Sequence, residues 1–503
     1  MGKFYLTTAI DYSNGDPHLG HALEKIGADC IARYRRMRGD EVHFLMGMDE
    51  HAQSVIRAAE ENGVSPQEWV NQMADRFARF WSRLECTNDD WIRTTEPRHA
   101  TAVHELLARI SAHNPDDLYL GTYEGLYCTG CEEFKQDNQI ENGRCLEHPT
   151  LSLAPTREEN HFFRLTRYRD RLLELLTSGE FKVGPSIRRN EVLRLLEDGL
   201  QDVSISRSRF PWGIPYPDSS GHTIYVWFDA VINYLTATGF PTDGYDDRWP
   251  ADLHVIGKGI TRFHCIMWPA MLLAADLPLP RAVWAHGYVQ WEGAKMSKTA
   301  GTAVDLNGAI ERHGVDPLRY FLLREIGFEQ DGNFGWERFD ERYTADLADG
   351  LGNLVARSLA MIAKYRDGVV PKGAATELDR VGSTATRTYA DAMDAIDLRG
   401  GLSAAWSLVS SANQYIVQQE PWSLAKAGKT EELDQVLSAL ARCLFRLAVM
   451  TSPVMPSKAQ EIWDALGQKG AISAGSWEAL ENPSSEGWQT IRPPILFPKP
   501  RQM

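Results

Sequence analysis

The sequence has no long hydrophobic run and few cysteines, and each absence argues against a class of protein. No run of about 18 apolar residues occurs, so the sequence predicts no membrane span. The N-terminal segment MGKFYLTTAIDY lacks a sustained apolar core and a small-residue cleavage site, which argues against a secretory signal peptide. The seven cysteines are an odd number in a large chain without such a signal, which favours a reducing cytoplasm.

The sequence also lacks a basic excess, since its formal net charge is −15. That charge repels nucleic acid at long range, so any RNA contact has to use local basic patches. The composition, 43% hydrophobic and 24% charged, is typical of a globular protein. At roughly 100–200 residues per domain, the length predicts several domains.

The N-terminal region has the pattern of a β-α-β unit. The apolar, β-branched run KFYLTTAI (3–10) favours a buried strand, and EVHFLMGMD (41–49) favours the next one. Between them, Asp16 can cap and Pro17 can open a helix that continues through residue 38. Such a unit predicts an α/β fold that begins a parallel, doubly wound sheet.

Later segments extend the sheet and then change character. Three more apolar runs favour strands, at 222–228, 252–257 and 282–291. A segment at 118–185, rich in Cys, Gly and charge, resembles an insertion within the sheet domain, and from about residue 340 long amphipathic helices dominate. The predicted division is 1–117 and 186–291 for the two halves of the sheet domain, 118–185 for the insertion, 292–345 for a connecting region and 346–503 for a helical domain.

The stretch PHLGH follows the first predicted strand directly and opens a helix. His18 and His21 are three residues apart, so both project from one side of the first turn. Helix N-termini attract anions, and Gly20 leaves room for a ligand beside the backbone. An isolated pair of this kind is more often structural. Its place at the end of the first strand favours phosphate binding, because ligands of such sheets bind beyond the carboxyl ends of the strands.

The stretch GAKMSKTAG (293–301) places Lys295 and Lys298 around Ser297 on a glycine-flanked loop. Taken alone, two lysines at this spacing are more often part of a solvated surface loop. Compact ammonium groups also suit phosphate oxygens. A mobile loop could close on a triphosphate and then release pyrophosphate.

Within the predicted insertion, CTGC and CLEH supply four soft ligands on two tight turns, a spacing typical of a tetrahedral structural zinc site. The alternative, four unrelated residues, is disfavoured by this spacing. So small a segment has little core, so the metal should supply much of its folding energy. The predicted zinc ligands are Cys128, Cys131, Cys145 and His148. The remaining cysteines are predicted to be core residues: Cys30, Cys86, Cys265 and Cys443.

The combination of HLGH near the start with KMSKT about 275 residues later resembles the class I aminoacyl-tRNA synthetases, whose paired signatures are H-I-G-H and K-M-S-K-S. The wider sequence resembles the methionyl-tRNA synthetase family over nearly the whole chain. The blocks that carry this resemblance are YLTTAIDYSNGDPHLGHA, RNEVLRLL, SISRSRFPWGIP, YVWFDAVINYL, FHCIMWPAMLLA and HGYVQWEGAKMSK.

The resemblance implies a Rossmann-like catalytic domain with a one-knuckle zinc insertion, followed by an all-α helical-bundle anticodon-binding domain. It implies that four residues stabilise the triphosphate in the transition state: His18, His21, Lys295 and Lys298. Gly20 and Ser297 join these four at the ATP site. The implied methionine pocket consists of Ala9, Ile10, Tyr12, Asp49, Trp227, Ala230, Ile232, Tyr234 and His264. Asp49 can pair with the substrate ammonium, and the aromatic rings can surround the thioether.

In the helical domain, LGNLVAR and EPWSLAK resemble the blocks with which the family reads the CAU anticodon. Trp422 would stack on a base, while Asn353 and Arg357 would bond to base edges. The implied activity is that of a methionine–tRNA ligase acting on ATP with Mg2+, L-methionine and tRNA(Met). We expect a cytoplasmic monomer with no membrane association, because no dimerisation module follows the helical domain.

The sequence departs from the family pattern at four positions. Gly259 stands where many members carry an Asp near the nucleotide, and Asp11 stands where Pro or Tyr is usual. Ala52 and Thr299 replace a common glycine and serine. One alternative is a paralogue that activates an amino acid or binds RNA without charging tRNA. Another is a synthetase for Leu, Ile or Val, but the segment at 118–185 is too short for their editing insertion.

Overall fold

The computed structural model describes residues 2–128, 133–135, 139–146, 150–208, 210–217, 221–291, 294–295, 305–472, 477–481, 483–491 and 495–499. Its strands are β1 (Lys3–Thr8), β2 (Asp11–Tyr12), β3 (Glu41–Asp49), β4 (Asp90–Arg93), β5 (Leu118–Cys128), β6 (Glu133–Lys135), β7 (Ile140–Glu141), β8 (Arg144–Cys145), β9 (Ala154–Phe163), β10 (Lys182–Gly184), β11 (Val203–Ser204), β12 (Ser206–Arg207), β13 (Thr223–Ile224), β14 (Leu253–Gly257), β15 (Ala282–His286), β16 (Val289–Trp291), β17 (Ala294–Lys295) and β18 (Gly332–Phe334).

The α-helices are α1 (Leu19–Met37), α2 (Gln53–Glu61), α3 (Pro66–Arg83), α4 (Pro97–His113), α5 (Arg169–Ser178), α6 (Ser186–Glu197), α7 (Val226–Ala230), α8 (Asn233–Thr236), α9 (Trp268–Ala274), α10 (Leu306–His313), α11 (Val315–Phe321), α12 (Trp336–Arg342), α13 (Asn353–Arg366), α14 (Glu377–Asp394), α15 (Leu398–Gln419), α16 (Pro421–Lys426), α17 (Thr430–Thr451) and α18 (Pro456–Ala465). Short 3-10 helices cover Pro115–Asp117, Leu165–Tyr168, Tyr245–Asp247, Lys258–Ile260 and Glu478–Leu480, and π-helical turns cover Phe263–Met267, Leu322–Ile326 and Tyr343–Gly352. Over the described part of the chain, none of these helices has the length and apolar character needed to span a bilayer.

A parallel sheet of seven strands forms the centre of the sheet domain. Its order is β10-β15-β14-β1-β3-β2, and β4 also pairs with β3. In β1, Leu6 pairs with Leu253 of β14 on one side and with Phe44 of β3 on the other. The chain thus leaves β1 in one direction and later returns on its other side, which makes β1 the topological switch point. The predicted doubly wound parallel sheet is confirmed.

Both faces of this sheet are buried, as parallel sheets require. Neighbouring residues of β1 point to opposite sides, so Leu6 packs in the larger core with α1 while Tyr5 packs in the second core. Of the cysteines predicted to be core, Cys30, Cys265 and Cys443 are buried, and Cys86 is half-buried against the larger core. Burial raises the pKa of the Cys30, Cys86 and Cys443 thiols to about 12.

The prediction of a strand over 222–228 is wrong for most of that run. Within this run, Thr223 and Ile224 form the strand β13, and the helix α7 begins at Val226. A short apolar run fits a buried helix as well as a strand, because every side chain is buried in either case. The helix lets Trp227 face the pocket described below while Asp229 Oδ2 lies 2.8 Å from His51 Nδ1.

The predicted start of α1 is also displaced. The cap is His18, whose Nδ1 accepts from the backbone N–H of Gly20 at 3.1 Å and of His21 at 3.4 Å. Asp16 lies outside the helix and pairs with Arg76 at 2.5 Å. An imidazole acceptor therefore takes the capping role that the sequence pattern suggested for the carboxylate.

The insertion forms a separate antiparallel sheet in the order β11-β9-β5-β6. Its long hairpin pairs Leu118 with Phe163 at the base and Tyr127 with Ala154 near the far end. Residues 182–184 lie within the sequence segment assigned to the insertion, but they form β10 and pair with β15 in the main sheet. Conversely, Val203 and Ser204 extend the antiparallel sheet.

The C-terminal region is helical, as predicted. After β18, the described residues form no further strand, and α13, α14 and α15 pack with α17 around the larger core. Arg319 joins this region to the sheet domain. Its fully buried guanidinium donates to Asp29 Oδ2 at 2.6 Å and to the carbonyl of Leu84 at 2.9 Å. It also donates to the carbonyls of Pro453 and Val454 in the helical region, at 3.0 and 2.8 Å.

Candidate active site and helical face

A cavity of about 240 Å³ opens at the carboxyl edge of the main sheet, where β1, β3, β14 and β15 end. This is where ligands bind in doubly wound sheets. The structure brings most of the residues predicted for the ATP and methionine sites to the wall of this cavity. They are Ala9, Ile10, Tyr12, His18, Gly20, His21, Asp49, Trp227, Ala230, Tyr234 and His264.

Ile232 is the member of the predicted methionine pocket that lies elsewhere. Its side chain is fully buried in the second core and is not part of the cavity wall that the structure describes. Ala230 and Tyr234 on either side of it do line the cavity. Ile232 therefore contacts the core behind the wall, because a helical turn directs side chains two positions apart to different sides.

Aromatic rings form one end of the cavity. The ring centroid of Tyr12 lies 5.5 Å from that of Trp227 in an edge-on arrangement, and Trp227 stacks on Phe263 at 4.0 Å. Within the described residues, the buried Trp227 Nε1 has no hydrogen-bond partner. A buried donor without a protein partner beside a cavity is expected where a ligand or water completes the bonding. This end suits an apolar, polarisable group.

His264 enters this end from a π-helical turn, a local geometry frequent at functional sites. Its Nδ1 lies 3.0 Å from the Ile260 carbonyl, which can only accept, so Nδ1 carries the proton. Its Nε2 then accepts from the Tyr234 hydroxyl at 2.6 Å. Burial lowers the pKa of His264 to about 4, so the ring is neutral at physiological pH.

A buried charge network lies beneath the cavity. Lys25 Nζ is 2.8 Å from Asp11 Oδ1 and 2.7 Å from Glu24 Oε1, and it donates to the Ala9 carbonyl at 2.7 Å. Glu24 Oε2 also lies 3.1 Å from His286 Nε2. The residue that departs from the family pattern at position 11 is therefore one half of a buried ion pair.

The pKa shifts in this network differ in direction. Burial raises the pKa of Asp11 to about 6, which outweighs the attraction of Lys25. The pKa of Lys25 is also raised, because two carboxylates together outweigh its burial. The pKa of Glu24 is lowered despite burial, since Lys25 and His286 both favour its charged form. The cavity floor therefore carries fixed charge of both signs.

The two histidines of the HLGH motif lie at the N-terminus of α1. Their rings stack with centroids 3.7 Å apart, and the His18 backbone N–H donates to His21 Nδ1 at 3.4 Å. The motif thereby forms a reciprocal cap that orients both rings beside the helix N-terminus. The dipole of this 19-residue helix favours an anion there.

The lysine loop lies largely outside the described residues. Ser297 and Lys298 are not among them, and only the backbone of Lys295 is described. That backbone pairs with Gln290 of β16, in the strand that follows the cavity residues Gly287 and Tyr288. The described part of this region, β16, therefore begins directly after a residue of the cavity wall.

Two of the four predicted zinc ligands are described, and both are buried. Cys128 ends β5 and pairs with Glu133 of β6, while Cys145 ends β8 and pairs with Ile140 of β7. Cys131 and His148 lie outside the described residues. Among the residues that the structure covers, no three potential metal ligands lie together.

The residues predicted to read an anticodon lie on the helical domain. Asn353 begins α13, one turn before Arg357, and Trp422 lies in the first turn of α16 after Pro421. Both helices pack against α17. Asn353 is exposed, Arg357 is half-buried, and the Trp422 side chain is 46% exposed.

Asp11 and Gly259 were noted from the sequence only as departures from the family pattern. The remaining residues of the cavity wall were not identified from the sequence: Glu24, Val231, Gly257, Ile260, His286, Gly287 and Tyr288. Two signals could have found some of them. Glu24 lies three residues after His21 on the same helix face. Gly257 and His286 end parallel strands, which is the criterion that supports Asp49.

Comparison with known families identifies both regions of the chain. The family model "tRNA synthetases class I (M)" matches residues 4–150 and 150–359. The model "Anticodon binding domain of methionyl tRNA ligase" matches residues 370–501. The two models together cover the sheet domain with its insertion and most of the helical domain.

Curated relatives agree with this division. The methionine–tRNA ligase of Thermotoga maritima is 42% identical over 98% of this chain and 78% of its own length. That of Streptomyces coelicolor is 39% identical over 99% of this chain and 96% of its own length. Both relatives are therefore similar to this chain through both regions.

Solved structures extend the likeness to three dimensions. Mycobacterium tuberculosis methionyl-tRNA synthetase in complex with methionyl-adenylate superposes with a TM-score of 0.94 at 38% identity, covering 99% of this chain and 100% of that one. The apo form of the same enzyme gives a TM-score of 0.87 at 35% identity, covering 100% and 99%. With two family models, full-length relatives and a shared fold in agreement, the chain belongs to the methionyl-tRNA ligase family of class I aminoacyl-tRNA synthetases.

Proposed function

We propose that the chain activates L-methionine with ATP in the cavity at the sheet edge and transfers the methionyl group to the 3′ end of tRNA(Met). Methionine–tRNA ligase is the activity of the relatives and structural neighbours. The observation that carries the proposal is that one cavity collects the aromatic rings, Asp49 and the two histidines at the α1 N-terminus.

The methionine side chain would occupy the aromatic end. Tyr12, Trp227 and Tyr234 offer ring faces and edges to the thioether. The neutral His264 adds no charge to this apolar end, because burial holds its pKa at about 4. Ala9, Ile10 and Ala230 complete the wall, and Ile232 would support it from the core. Asp49, at the end of β3, is buried and would pair with the substrate ammonium.

The triphosphate would lie toward the N-terminus of α1. His18 and His21 face that side, and Gly20 lets the phosphates approach the backbone N–H groups. The methionine carboxylate attacks the α-phosphorus, the bond to the bridging oxygen breaks, and pyrophosphate leaves. Lys295, Ser297 and Lys298 would stabilise the charge that develops on the leaving oxygens. Mg2+ bound with ATP supplies further positive charge.

In the second step, the 3′-hydroxyl oxygen of the tRNA attacks the methionyl carbonyl. The ester bond forms, AMP leaves, and the hydroxyl proton passes to solvent or to the departing phosphate. The adenylate is already activated, so no side chain is required as a nucleophile or a strong base.

The helical face would read the CAU anticodon. Within the described part of the chain, the Asn353 and Arg357 side chains make no hydrogen bond or ion pair, and the Trp422 ring stacks on no other ring. Side chains that are exposed and not engaged by the protein suit the stacking and edge contacts with which single-stranded RNA is recognised. The local cation Arg357 supplies positive charge on a chain whose net charge is −15.

The insertion would hold one structural zinc through Cys128, Cys131, Cys145 and His148. Two hairpins bring buried Cys128 and Cys145 to strand ends, and the donor set is that of a tetrahedral zinc site. Metal analysis of purified protein should find one zinc per chain. Finding none in protein that is active without added metal would contradict this.

Both the cavity and the helical face belong to one chain, so we propose that the protein acts as a monomer. We also propose that it acts in the cytoplasm. Light scattering of the purified protein, with and without tRNA, tests the monomeric state. A dimer in the absence of tRNA would contradict it.

The decisive experiment compares methionine-dependent ATP–pyrophosphate exchange with charging of tRNA(Met). We expect both activities, and we expect little exchange with leucine, isoleucine or valine. Exchange without charging would support the alternative of a paralogue that activates an amino acid only. Absence of both activities in folded, zinc-loaded protein would contradict the proposed function.

A further inference from the structure

In the cavity wall, Gly259 and the Tyr288 hydroxyl lie unusually close together, and the residue roles proposed above do not account for this contact. Gly259 lies in the 3-10 turn that follows β14, and Tyr288 follows β15 and lines the same cavity. A Cβ atom built on Gly259 would lie 2.3 Å from the Tyr288 hydroxyl oxygen. A side chain at position 259 would therefore clash with the Tyr288 hydroxyl where the hydroxyl now lies.

Tyr288 is held in this orientation from several sides. Lys258 Nζ lies 4.5 Å from the Tyr288 ring centroid, as in a cation–π contact, and it pairs with Asp331 Oδ2 at 2.6 Å. The Tyr288 backbone N–H donates to Asp331 Oδ1 at 2.9 Å, and its carbonyl accepts from the Gly332 N–H at 3.0 Å. The two bonds fix the position of the Tyr288 backbone, and the Lys258 contact favours the ring orientation that places the hydroxyl beside Gly259.

The backbone beside Tyr288 is equally constrained. A Cβ atom on Gly287 would lie 2.2 Å from the carbonyl carbon and oxygen of Gln330. The turn after β15 is therefore pressed against the segment that supplies Asp331. The backbone of Tyr288 is therefore held in place, and rotation of its ring away from the cavity would lose the contact with Lys258.

The surroundings of the hydroxyl indicate which part of a ligand it faces. The position of a Cβ on Gly257 lies 4.0 Å from Glu24 Oε2 and 3.7 Å from His286 Nε2. Two glycines, a carboxylate and an imidazole therefore line the cavity where β14 and β15 end. Such a group of acceptors and donors around an open backbone suits the hydroxyls of a sugar.

We propose that the Tyr288 hydroxyl hydrogen-bonds the ribose of ATP, and that position 259 has to be glycine because the hydroxyl occupies the space of a side chain there. The proposal rests on the proposed function and assigns a substrate-binding residue within it. It also gives a physical account of the departure at Gly259. The polar group that would face the nucleoside comes from the turn after β15 instead of from the turn after β14.

The first test is Tyr288→Phe, which removes only the hydroxyl, measured by ATP–pyrophosphate exchange. The KM for ATP should rise roughly three- to tenfold, as for loss of one hydrogen bond, while the KM for methionine stays unchanged. The parent enzyme should use 2′-deoxy-ATP or 3′-deoxy-ATP less well than ATP, and Tyr288→Phe should lose that preference for the hydroxyl it contacts. Tyr365→Phe, half-buried on α13, is the matched control and should change neither constant.

The second test is a double-mutant cycle with Gly259→Ala. In the parent, the added methyl meets the hydroxyl at 2.3 Å, so the KM for ATP should rise. In the Tyr288→Phe background, the nearest ring atom is Cζ at 3.5 Å, an ordinary contact, so the same substitution should add nothing. The two effects should be strongly non-additive.

The proposal would be overturned if Tyr288→Phe kept the parent KM for ATP, or raised it without changing the preference between ATP and either deoxy-ATP. A Gly259→Ala effect that is absent, or equal in both backgrounds, would also overturn it. These failures differ from failure of the proposed function, in which the parent enzyme itself would show no methionine-dependent exchange.

Discussion

The cavity at the sheet edge and the exposed face of the helical domain present their side chains in opposite ways. At the cavity, polar groups are bonded to other parts of the protein in the network of Asp11, Lys25, Glu24 and His286. On the helical face, Trp422 is 46% exposed and makes no ring contact within the described residues.

The difference follows from the chemistry that each region would perform. Stabilising charge in a reaction needs groups that are fixed before the substrate arrives, because reorientation during the step costs free energy. Reading a splayed base needs an accessible ring and free donors. The first region should therefore respond to changes in its buried neighbours, and the second should respond mainly to loss of the contacting side chain itself.

The largest effect is expected at the lysine loop, which would add positive charge beside the cavity. One close phosphate contact contributes about 4 kcal/mol at an effective dielectric near 20, so Lys298→Ala should slow methionine activation roughly a thousandfold. Methionine binding should stay nearly unchanged, because the charge acts in the transition state. Exchange kinetics and calorimetric methionine titration measure the two quantities.

Lys469→Ala, a substitution of an exposed lysine in the helical domain, is the matched control and should leave exchange unchanged. Equal losses of methionine binding and activation in Lys298→Ala would contradict a transition-state role.

The next largest effect is expected at Arg319, which bonds to both the sheet domain and the helical region. Arg319→Met removes a fully buried guanidinium and leaves Asp29 with Arg33 and Thr87 as partners. Breaking a buried ion pair typically costs about 3 kcal/mol or more, so the first urea unfolding transition should shift to clearly lower urea concentration. Arg338→Met breaks exposed ion pairs and should cost less than about 1 kcal/mol. Similar shifts for both variants would show that Arg319 does not hold the regions together.

A smaller effect is expected in the pH dependence of stability, because His264 is buried in the cavity region. The pKa of His264 is lowered to about 4, against about 6.5 in an unfolded chain. As pH falls below 6.5, the unfolded state takes up a proton that the folded state does not, so stability is lost progressively until the pH passes the folded pKa. Between pH 7 and pH 5 this single group removes about 2 kcal/mol.

The measurement is the urea midpoint at pH 7 and pH 5 for the parent and for His264→Gln, whose amide does not titrate. The variant should lose less stability on acidification than the parent. An identical pH dependence would contradict a buried, neutral His264.

Much of the sheet domain could be predicted from local sequence, because strands and helix faces carry periodic patterns. The run at 41–49 became β3 with the same bounds, and the carboxyl-end rule placed Asp49 at the cavity. The helix over 226–230 could not be distinguished from a strand, since a short apolar run is buried in either form.

Contacts between residues that are distant in the sequence could not be predicted from local patterns. The pairing of Asp11 with Lys25 forms only once β2 and α1 come together, and Glu24 contacts His286 across 262 positions of the chain. Likewise, the sequence alone shows Gly259 only as the loss of a carboxylate. The structure shows that Tyr288 occupies the space that a side chain at position 259 would need.

The helical face was predicted through resemblance, because its residues carry no periodic signal. An exposed Trp, Asn or Arg on a helix is ordinary, and the fold alone assigns it no role. The structure adds that all three are accessible on helices that pack against α17. Their function is therefore the part of the proposal that most needs a direct test.

The measurement that tests the separation of the two regions most directly is exchange and charging on Trp422→Ala. The adenylate reaction needs no tRNA, so ATP–pyrophosphate exchange should stay at the parent level. A lost base stack typically costs about 1–3 kcal/mol, so charging efficiency for tRNA(Met) should fall roughly ten- to a hundredfold. Discrimination against a tRNA with an altered anticodon should weaken too.

Val417→Ala, which truncates another exposed apolar side chain near the end of α15, is the matched control and should retain both activities. The account predicts full exchange, reduced charging and an unchanged melting temperature for Trp422→Ala. A lower melting temperature with parallel loss of both reactions would contradict it, because Trp422 would then be a structural residue.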